Sequence, residues 1–251
     1  MKFILCLAAF ALMQATGFSA DKEMRFFELR TYHAAAGKLD DLSARFRNHT
    51  LAIFAKHNMT SIGYWIPVDN TNNVLIYLLA FPSREARRQA WKEFGADPEW
   101  QAVEKASGVN GRLVNKADSV FLTATDFSPV VQPSANGAPR LFELRTYHAA
   151  PGKLDDLLTR FRDHTSALFD KHGLSQVGYF VPTEKKDGAG ETLIYILAHK
   201  DKDGAAAAWK AFRDDADWVK AKADSEKNGP LTVQNGVNSI YMVPTDYSPM
   251  K

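Results

Sequence analysis

A long internal repeat is the feature that most constrains the fold of this chain. Residues 27–42 read FELRTYHAAAGKLDDL and residues 142–157 read FELRTYHAAPGKLDDL, so the two segments differ at one position. The likeness continues to matching ends, TDFSP and TDYSP. Two copies are too few for a solenoid, so we expect one domain present twice, over 24–129 and 140–249. The segment 130–139 is rich in Pro, Ser, Asn and Gly and is interpreted as a linker.

Each copy has the pattern of an α+β domain. Residues 26–33 alternate and are rich in aromatic and β-branched types, which predicts a strand. Apolar side chains at helical spacing follow over 38–57, and later segments complete the order β-α-β-β-α-(α)-β. This order is typical of a ferredoxin-like repeat, whose sheet has one helix-covered face and one bare face. We expect the two bare faces to meet within the chain as an α+β barrel with an internal cleft.

The first strand of each copy carries the side chains with the most chemical content. Because strand side chains alternate, we predict that Phe27 and Leu29 face the helices and that the polar set faces the cleft. That set is Glu28, Arg30 and Tyr32, repeated as Glu143, Arg145 and Tyr147. Arginine offers a planar fork for a carboxylate, and tyrosine offers a hydroxyl on an apolar ring. Three roles stay open for the set: ion pairing that only fixes register, binding of a small ligand, and acid–base catalysis.

Histidines that repeat in both copies are candidates for a haem ligand or for a supporting role at the site. They are His33 and His148 at the ends of the first strands, and His49 and His164 within the helices. The plainer interpretation of the helical pair is a hydrogen-bonded residue at the edge of the core. No HExxH pattern occurs, so we predict no metal site. His199 is unmatched, because Phe81 occupies its position in the first copy.

The N-terminus predicts export. Lys2 precedes an apolar run over 3–13, and small residues follow the run. This is the pattern of a secretory signal peptide, and the run is about half the length that spans a bilayer. We expect a signal peptide over 1–20, with an uncleaved anchor as the alternative. After cleavage the chain is expected to be periplasmic or secreted and to have no transmembrane segment.

Composition removes several classes of function. The only cysteine, Cys6, lies in the predicted signal, so we expect no disulfide, thiolate metal site or cysteine nucleophile in the mature chain. The 31 basic and 29 acidic residues are interspersed, without the basic block typical of nucleic-acid-binding proteins. No GxGxxG, P-loop or GxSxG motif occurs, so nucleotide binding and serine hydrolysis lack support.

The repeated motifs resemble the NIPSNAP domain. The likeness is carried by FELRTY, by the PGK turn of the second copy, by a helix with FRxHT, and by the later GY(W/F)xP segment. It covers both copies, although Ala36 stands where the motif has proline. The resemblance implies the dimeric α/β-barrel fold and little about activity. Family members outside bacteria are associated with mitochondria and with organelle handling, whereas this leader looks secretory.

Three functions are open on these grounds. The first is an exported NIPSNAP-type protein that binds a small ligand in the cleft between its repeats and needs no cofactor. The second is a cofactor-independent monooxygenase or isomerase, as found among relatives in fold. The third is a haem-binding protein. The expected partner is a small molecule and not nucleic acid, and self-association is left open.

Overall fold

The structure is a computed structural model, and it describes residues 26–134 and 140–251. The predicted signal peptide over 1–20 and part of the predicted linker lie outside these residues. No helix in the two described ranges is long and apolar enough to cross a bilayer.

The two repeats have the same order of elements. The first contains β1 (Phe26–Ala34), α1 (Leu39–Arg45), a π-helical turn (Phe46–Thr50), α2 (Leu51–Lys56), β2 (Thr60–Pro67), β3 (Val74–Phe81), α3 (Arg84–Ala96), α4 (Pro98–Ser107) and β4 (Val114–Ala124). The second contains β5 (Leu141–Ala149), α5 (Leu154–Arg160), a π-helical turn (Phe161–Thr165), α6 (Ser166–Lys171), β6 (Ser175–Pro182), a 3₁₀ turn (Lys185–Asp187), β7 (Thr192–His199), α7 (Lys202–Asp214), α8 (Ala216–Ser225) and β8 (Thr232–Pro244).

The strands form one closed barrel in the order β1-β3-β2-β8-β5-β7-β6-β4. All pairs are antiparallel, and the repeats join where β2 pairs with β8 and where β4 pairs with β6. Trp65 lies opposite Pro244 at the first seam, and Leu122 lies opposite Pro182 at the second. The predicted α+β barrel is confirmed, while the ferredoxin-like description of each repeat stays a prediction.

Apolar side chains from both repeats fill the interior of the barrel. Phe27 packs edge-on against Phe180 with ring centroids 5.0 Å apart, and Trp65 lies 5.5 Å from Phe142. Leu29 belongs to the same buried cluster. The prediction that Phe27 and Leu29 face the helices is therefore wrong, and packed side chains fill the place of the expected internal cleft.

A second apolar layer in each repeat lies between the sheet and the helices. In repeat one it contains Phe46 and Phe54 from the helical segment together with Tyr77 from β3. The equivalent cluster in repeat two contains Phe161 and Phe169. The polar side chains of β1 and β5 point toward this layer, so the alternation was predicted correctly and its direction was not.

Two strand glycines permit bulges that bring aromatic rings over the backbone. The β2–β3 register shifts between Ser61 and Gly63, and β6–β7 shifts in the same way before Gly178. A Cβ added to Gly63 would lie 2.3 Å from the Trp65 ring. Glycine is therefore required where this large core ring crosses its own strand.

Candidate functional site

Glu28 of β1 is a fully buried carboxylate surrounded by donors. Arg30 Nη1 donates to it at 2.6 Å, and Ser119 Oγ donates from β4 at 2.5 Å. From α3, Arg87 donates through Nε at 2.8 Å and Nη2 at 2.7 Å, and Trp91 Nε1 donates at 2.7 Å. A buried carboxylate is tolerated when such donors replace its water.

Glu143 of β5 occupies the equivalent position with a different set of donors. Arg145 Nη1 donates at 2.5 Å, Trp209 Nε1 at 2.8 Å and Ser239 Oγ at 2.6 Å. The fourth donor is His199 Nε2 of β7, at 2.9 Å. Arg87 of α3, which donates to the carboxylate in repeat one, is thus replaced in repeat two by His199 of β7.

Both carboxylates are held in the ionised form. Burial alone would raise the pKa of Glu143, but the bonds from His199, Ser239 and Trp209 and the charge of Arg145 outweigh it and lower the pKa to about 2. The pKa of Glu28 is also lowered, because the contacts from Arg87, Arg30 and Ser119 outweigh the same burial effect. A carboxylate that stays ionised and saturated with donors is suited to positioning its neighbours and poorly suited to taking up a proton.

The arginines and tyrosines of the predicted set complete the same layer. Arg145 donates to the Tyr147 hydroxyl at 3.1 Å and to the Tyr195 hydroxyl at 2.8 Å, and its guanidinium lies 4.4 Å from the Trp209 ring. Arg30 donates to Tyr32 at 3.3 Å. In each repeat the three predicted residues therefore come together, but against the helices. They face that way because the indole and guanidinium donors lie there, whereas apolar side chains line the barrel interior.

In repeat one the space beside this network is plugged. Arg84, at the start of α3, stacks over Phe26 at 5.3 Å and over Phe121 at 5.4 Å. Its guanidinium also donates to Thr183 Oγ1 at 2.7 Å and pairs with Glu184. These contacts bridge the seam between β4 and β6.

Four positions that fill this space in repeat one carry other residues in repeat two, and a cavity lies there instead. We call the repeat-one residues at these positions the plug. Lys202 stands at the position of Arg84, Ala205 at that of Arg87, Tyr241 at that of Phe121, and His199 at that of Phe81. The cavity, called the seam pocket here, has a volume of about 670 Å³ and lies beside the β2–β8 junction. Pockets that hold small ligands typically have volumes of about 300–1,000 Å³.

The seam pocket combines charges with an apolar floor. Its polar lining consists of Asp69, Arg140, Lys200, Asp201, Lys202, Ser239 and Tyr241, and apolar side chains of β8 and of the ends of β2 and β5 supply the rest. Burial and the nearby charge of Glu143 raise the pKa of Tyr241, so its hydroxyl stays neutral and able to donate. Ser239 both lines the pocket and donates to Glu143, which ties the pocket wall to the buried network.

Sequence reasoning missed the pocket, because it placed the cleft inside the barrel. The sequence did contain one indication of the pocket, because His199 has no matching histidine in the first repeat. This side chain is 1% exposed, and its Nδ1 has no hydrogen-bond partner among the described residues. It also borders a groove of about 390 Å³ against the alanine-rich face of α7.

A second cavity of about 370 Å³ lies between helices and sheet in repeat two. Tyr147, which belongs to the predicted ligand set, lines it together with Arg160, Phe161 and Trp218. A member of the predicted ligand set thus lines this cavity, whereas none lines the seam pocket.

The four histidines predicted as haem candidates lie apart from the seam pocket. His33 Nε2 contacts Asp118 at 2.9 Å, and the Nδ1 of His148 lies 3.4 Å from the hydroxyl of Thr192. The other two, His49 and His164, are exposed on the π-helical turns. Haem binding stays a prediction. Its test is a Soret band on adding haem to the protein, with loss of the band in the His49→Ala/His164→Ala variant.

Comparison with known proteins gives the family and the fold. The sequence model of the NIPSNAP family matches residues 27–129 and 142–249. A curated relative, "Protein NipSnap homolog" of Dictyostelium discoideum, is 21% identical over 207 residues, which are 81% of this chain and 82% of that protein.

Two solved structures are similar to nearly the whole chain. A candidate monooxygenase from Lactobacillus acidophilus has a TM-score of 0.56 at 8% identity, over 88% of this chain and 94% of its own. Another, from Fusobacterium nucleatum, has a TM-score of 0.55 at 10% identity, over 89% and 93%. At these identities the likeness is one of fold, whereas the matches of the family sequence model span both repeats. The chain therefore belongs to the NIPSNAP family.

Proposed function

We propose that this NIPSNAP-family protein binds a small molecule with an anionic group and an apolar body in the seam pocket between its repeats. The observation that carries the proposal is the difference between the repeats. The same place is filled by Arg84 and Arg87 in one repeat and is open in the other. In this proposal Lys200, Lys202 and Arg140 hold the anionic group, and the β8 side chains contact the apolar body.

Two residues of the predicted ligand set, Glu143 and Arg145, have a supporting role in this proposal. Glu143 fixes Ser239 in the pocket wall, and Arg145 fixes Glu143. Tyr147 lines the second cavity, so its predicted contact with a ligand would be made there and not in the seam pocket.

The test exchanges the plug between the repeats. The fluorescent probe 8-anilinonaphthalene-1-sulfonate has an anionic group on an apolar body, and we expect one site per chain. The His199→Phe/Lys202→Arg/Ala205→Arg/Tyr241→Phe variant copies repeat one and should abolish that site. The reciprocal variant, Phe81→His/Arg84→Lys/Arg87→Ala/Phe121→Tyr, should create a second one. Unchanged binding in a folded plug variant would refute the proposal, and native mass spectrometry of the purified protein identifies any natural occupant.

A second candidate function is cofactor-independent isomerisation of a carbonyl compound. Tyr241 favours it, because a neutral phenol is able to stabilise an enolate oxygen, and the Asp69 carboxylate in the same pocket is able to accept a proton from carbon. Phenylpyruvate carries a carboxylate, a ring and an exchangeable proton, so its keto–enol conversion can be followed by absorbance. Conversion no faster than in buffer, or equal in Tyr241→Phe, would exclude this function for that compound.

We also propose that the chain is exported. The proposal rests on the sequence pattern over residues 1–20. Sequencing the N-terminus of the protein isolated from its source is the test. A mature N-terminus close to residue 18 or 21 supports export with cleavage, and an intact Met1 on intracellular protein contradicts it.

A further inference from the structure

An arginine at the end of the first helix is held in the same way in both repeats, half-buried as Arg45 and buried as Arg160. Arg45 of α1 stacks over Trp100 at 5.1 Å, and Arg160 of α5 stacks over Trp218 at 5.2 Å. Arg45 Nη1 donates to Ser107 Oγ and Arg160 Nη1 donates to Ser225 Oγ, both at 3.3 Å. The Nε of each arginine is buried and has no hydrogen-bond partner among the described residues. The two scaffolds are therefore equivalent.

The repeats differ in what neutralises this arginine. Arg160 Nη1 lies 2.8 Å from Oε1 of Glu226, which follows the last residue of α8. Gly108 stands at that position in repeat one. Across residues 26–134 and 140–251, no carboxylate lies within ion-pair distance of Arg45. Burial lowers the pKa of Arg45 despite the opposing effects of Tyr32 and Glu104, which is the sign of a cation that lacks a partner.

A groove lies open beside Arg45. It has a volume of about 580 Å³, compared with about 370 Å³ for its counterpart in repeat two. Asn48 and His49 from the π-helical turn line it together with Ser107 and Asn110 of the facing helix and its end. These side chains offer donors for an oxyanion, and π-helical turns within α-helices are frequent at functional sites.

The acidic side chains around the groove leave Arg45 available. Asp41 lines the groove one turn earlier on α1, where Lys38 pairs with it at 2.9 Å. Glu104 lies one turn before Gly108 on α4, makes no ion pair with Arg45, and is replaced by Lys222 in repeat two. Among the described residues, Glu104 is thus the nearby carboxylate that is able to compete for the guanidinium.

We propose that Arg45 binds the carboxylate of an external small molecule, in the position that the Glu226 side chain occupies in repeat two. The built-in carboxylate of repeat two defines the chemistry, because the arginine, tryptophan and serine around it are the same. Alanine and valine side chains of α4 flank the groove and suit a short apolar tail on the ligand. This site is independent of the seam pocket.

The backbone permits a direct test by exchange of the two positions. Gly108 has φ −90°, and a Cβ there would lie 3.2 Å from the Glu104 carbonyl oxygen, so a side chain fits with a small shift. The probe is butyrate, added at constant ionic strength with chloride as the control anion. The readout is the Nε–Hε resonance of Arg45 in NMR spectra of the full chain, assigned by its loss in Arg45→Lys.

We expect butyrate to shift the Arg45 resonance in a saturable way. Gly108→Glu should weaken this binding by about tenfold or more, because the added carboxylate occupies the guanidinium. Glu226→Gly should give the Arg160 resonance a new response to butyrate. Glu104→Gln should keep or strengthen the response of Arg45, since it removes a competing charge.

Three results would overturn the proposal. One is no saturable shift with butyrate. Another is loss of the response in Glu104→Gln together with lower stability, which would mean that Glu104 pairs with Arg45 in solution. The last is a response to inorganic phosphate without one to butyrate, which would assign the groove to phosphate.

Discussion

At the residue scale, Glu28 and Glu143 are one position satisfied by two different donors, Arg87 in repeat one and His199 in repeat two. Arg87 reaches Glu28 from α3 and on its way lies 4.6 Å from the Phe121 ring, so it occupies the space beside the sheet. His199 reaches Glu143 from the neighbouring strand and leaves that space free. The seam pocket is therefore a consequence of moving the donor from a helix to a strand.

Replacing either buried carboxylate should destabilise the protein strongly. In Glu143→Gln, the amide group turns N–H toward Arg145 or Trp209 and leaves buried donors without an acceptor. We expect the free energy of unfolding in urea to fall by about 3–5 kcal/mol, and by a similar amount in Glu28→Gln. The exposed Glu191→Gln is the control and should stay within about 0.5 kcal/mol of the parent. A loss in Glu143→Gln no larger than in this control would show that the network does not support the fold.

The lowered pKa of Glu143 also predicts a pH dependence of stability. The folded-state pKa of about 2 lies below the ordinary value of 4.5, so the contribution is fully present above pH 4.5 and is lost as the pH falls toward 2. The difference corresponds to roughly 3 kcal/mol. The gap in unfolding free energy between the parent and Glu143→Gln should therefore narrow below pH 4.5. A gap that stays constant between pH 6 and 3 would contradict the assignment.

The sequence predicted which residues of the first strands act together but not where they point. Alternation separates Glu28, Arg30 and Tyr32 from Phe27 and Leu29 on any strand. It does not say which face meets the helices. That depends on the indole donors of Trp91 and Trp209, which come more than 60 residues later in the chain.

At the element scale, the first helix of each repeat contains a turn that its sequence does not reveal. The predicted helix over 38–57 forms, but Phe46–Thr50 is a π-helical turn in which Thr50 Oγ1 donates to the Arg45 carbonyl at 3.2 Å. Phe46 and Ile53 are seven residues apart, which fits an α-helix equally well. A π-helical turn contains one more residue than an α-helical turn, and the spacing of the apolar residues does not reveal it.

Two glycine substitutions in different elements should have opposite effects. Gly63→Ala puts a Cβ 2.3 Å from the buried Trp65 ring, and we expect a loss of about 1–3 kcal/mol in urea unfolding. Gly95 lies exposed in α3 with nothing within 4 Å of an added Cβ. Gly95→Ala should therefore stabilise the protein by up to about 1 kcal/mol. Equal effects of the two changes would argue against the ring contact.

At the scale of the whole molecule, the repeat and the bare sheet face were enough to predict closure of the barrel. They were not enough to predict that its two seams differ. That difference rests on a few exchanged side chains, chiefly Arg84, Arg87 and Phe121, within otherwise similar segments. Near-identity of the first strands therefore predicts a shared scaffold and does not predict two equal sites.

Isolated repeats should restore closure by pairing with themselves. A fragment of residues 24–134 would expose the apolar side chains that now meet repeat two and would leave the paired edges of β2 and β4 open. We expect it to form a homodimer in sedimentation experiments, because unpaired strand edges and a bare apolar face favour association. A stable, soluble monomer would contradict this view of the barrel.

Homodimers of repeat one and of repeat two would share the barrel fold but differ in the seam pocket, so probe binding by each dimer tests the site apart from the fold. A dimer of repeat one has the Arg84 plug at both seams and should not give the seam-pocket signal of the fluorescent probe. A dimer of residues 140–251 keeps most of the seam-pocket lining twice, because only Val68 and Asp69 come from repeat one. It should therefore bind two probe molecules. Equal binding by both dimers would place the probe outside the seam, whereas binding by the second dimer alone would locate the site in the residues by which repeat two has diverged.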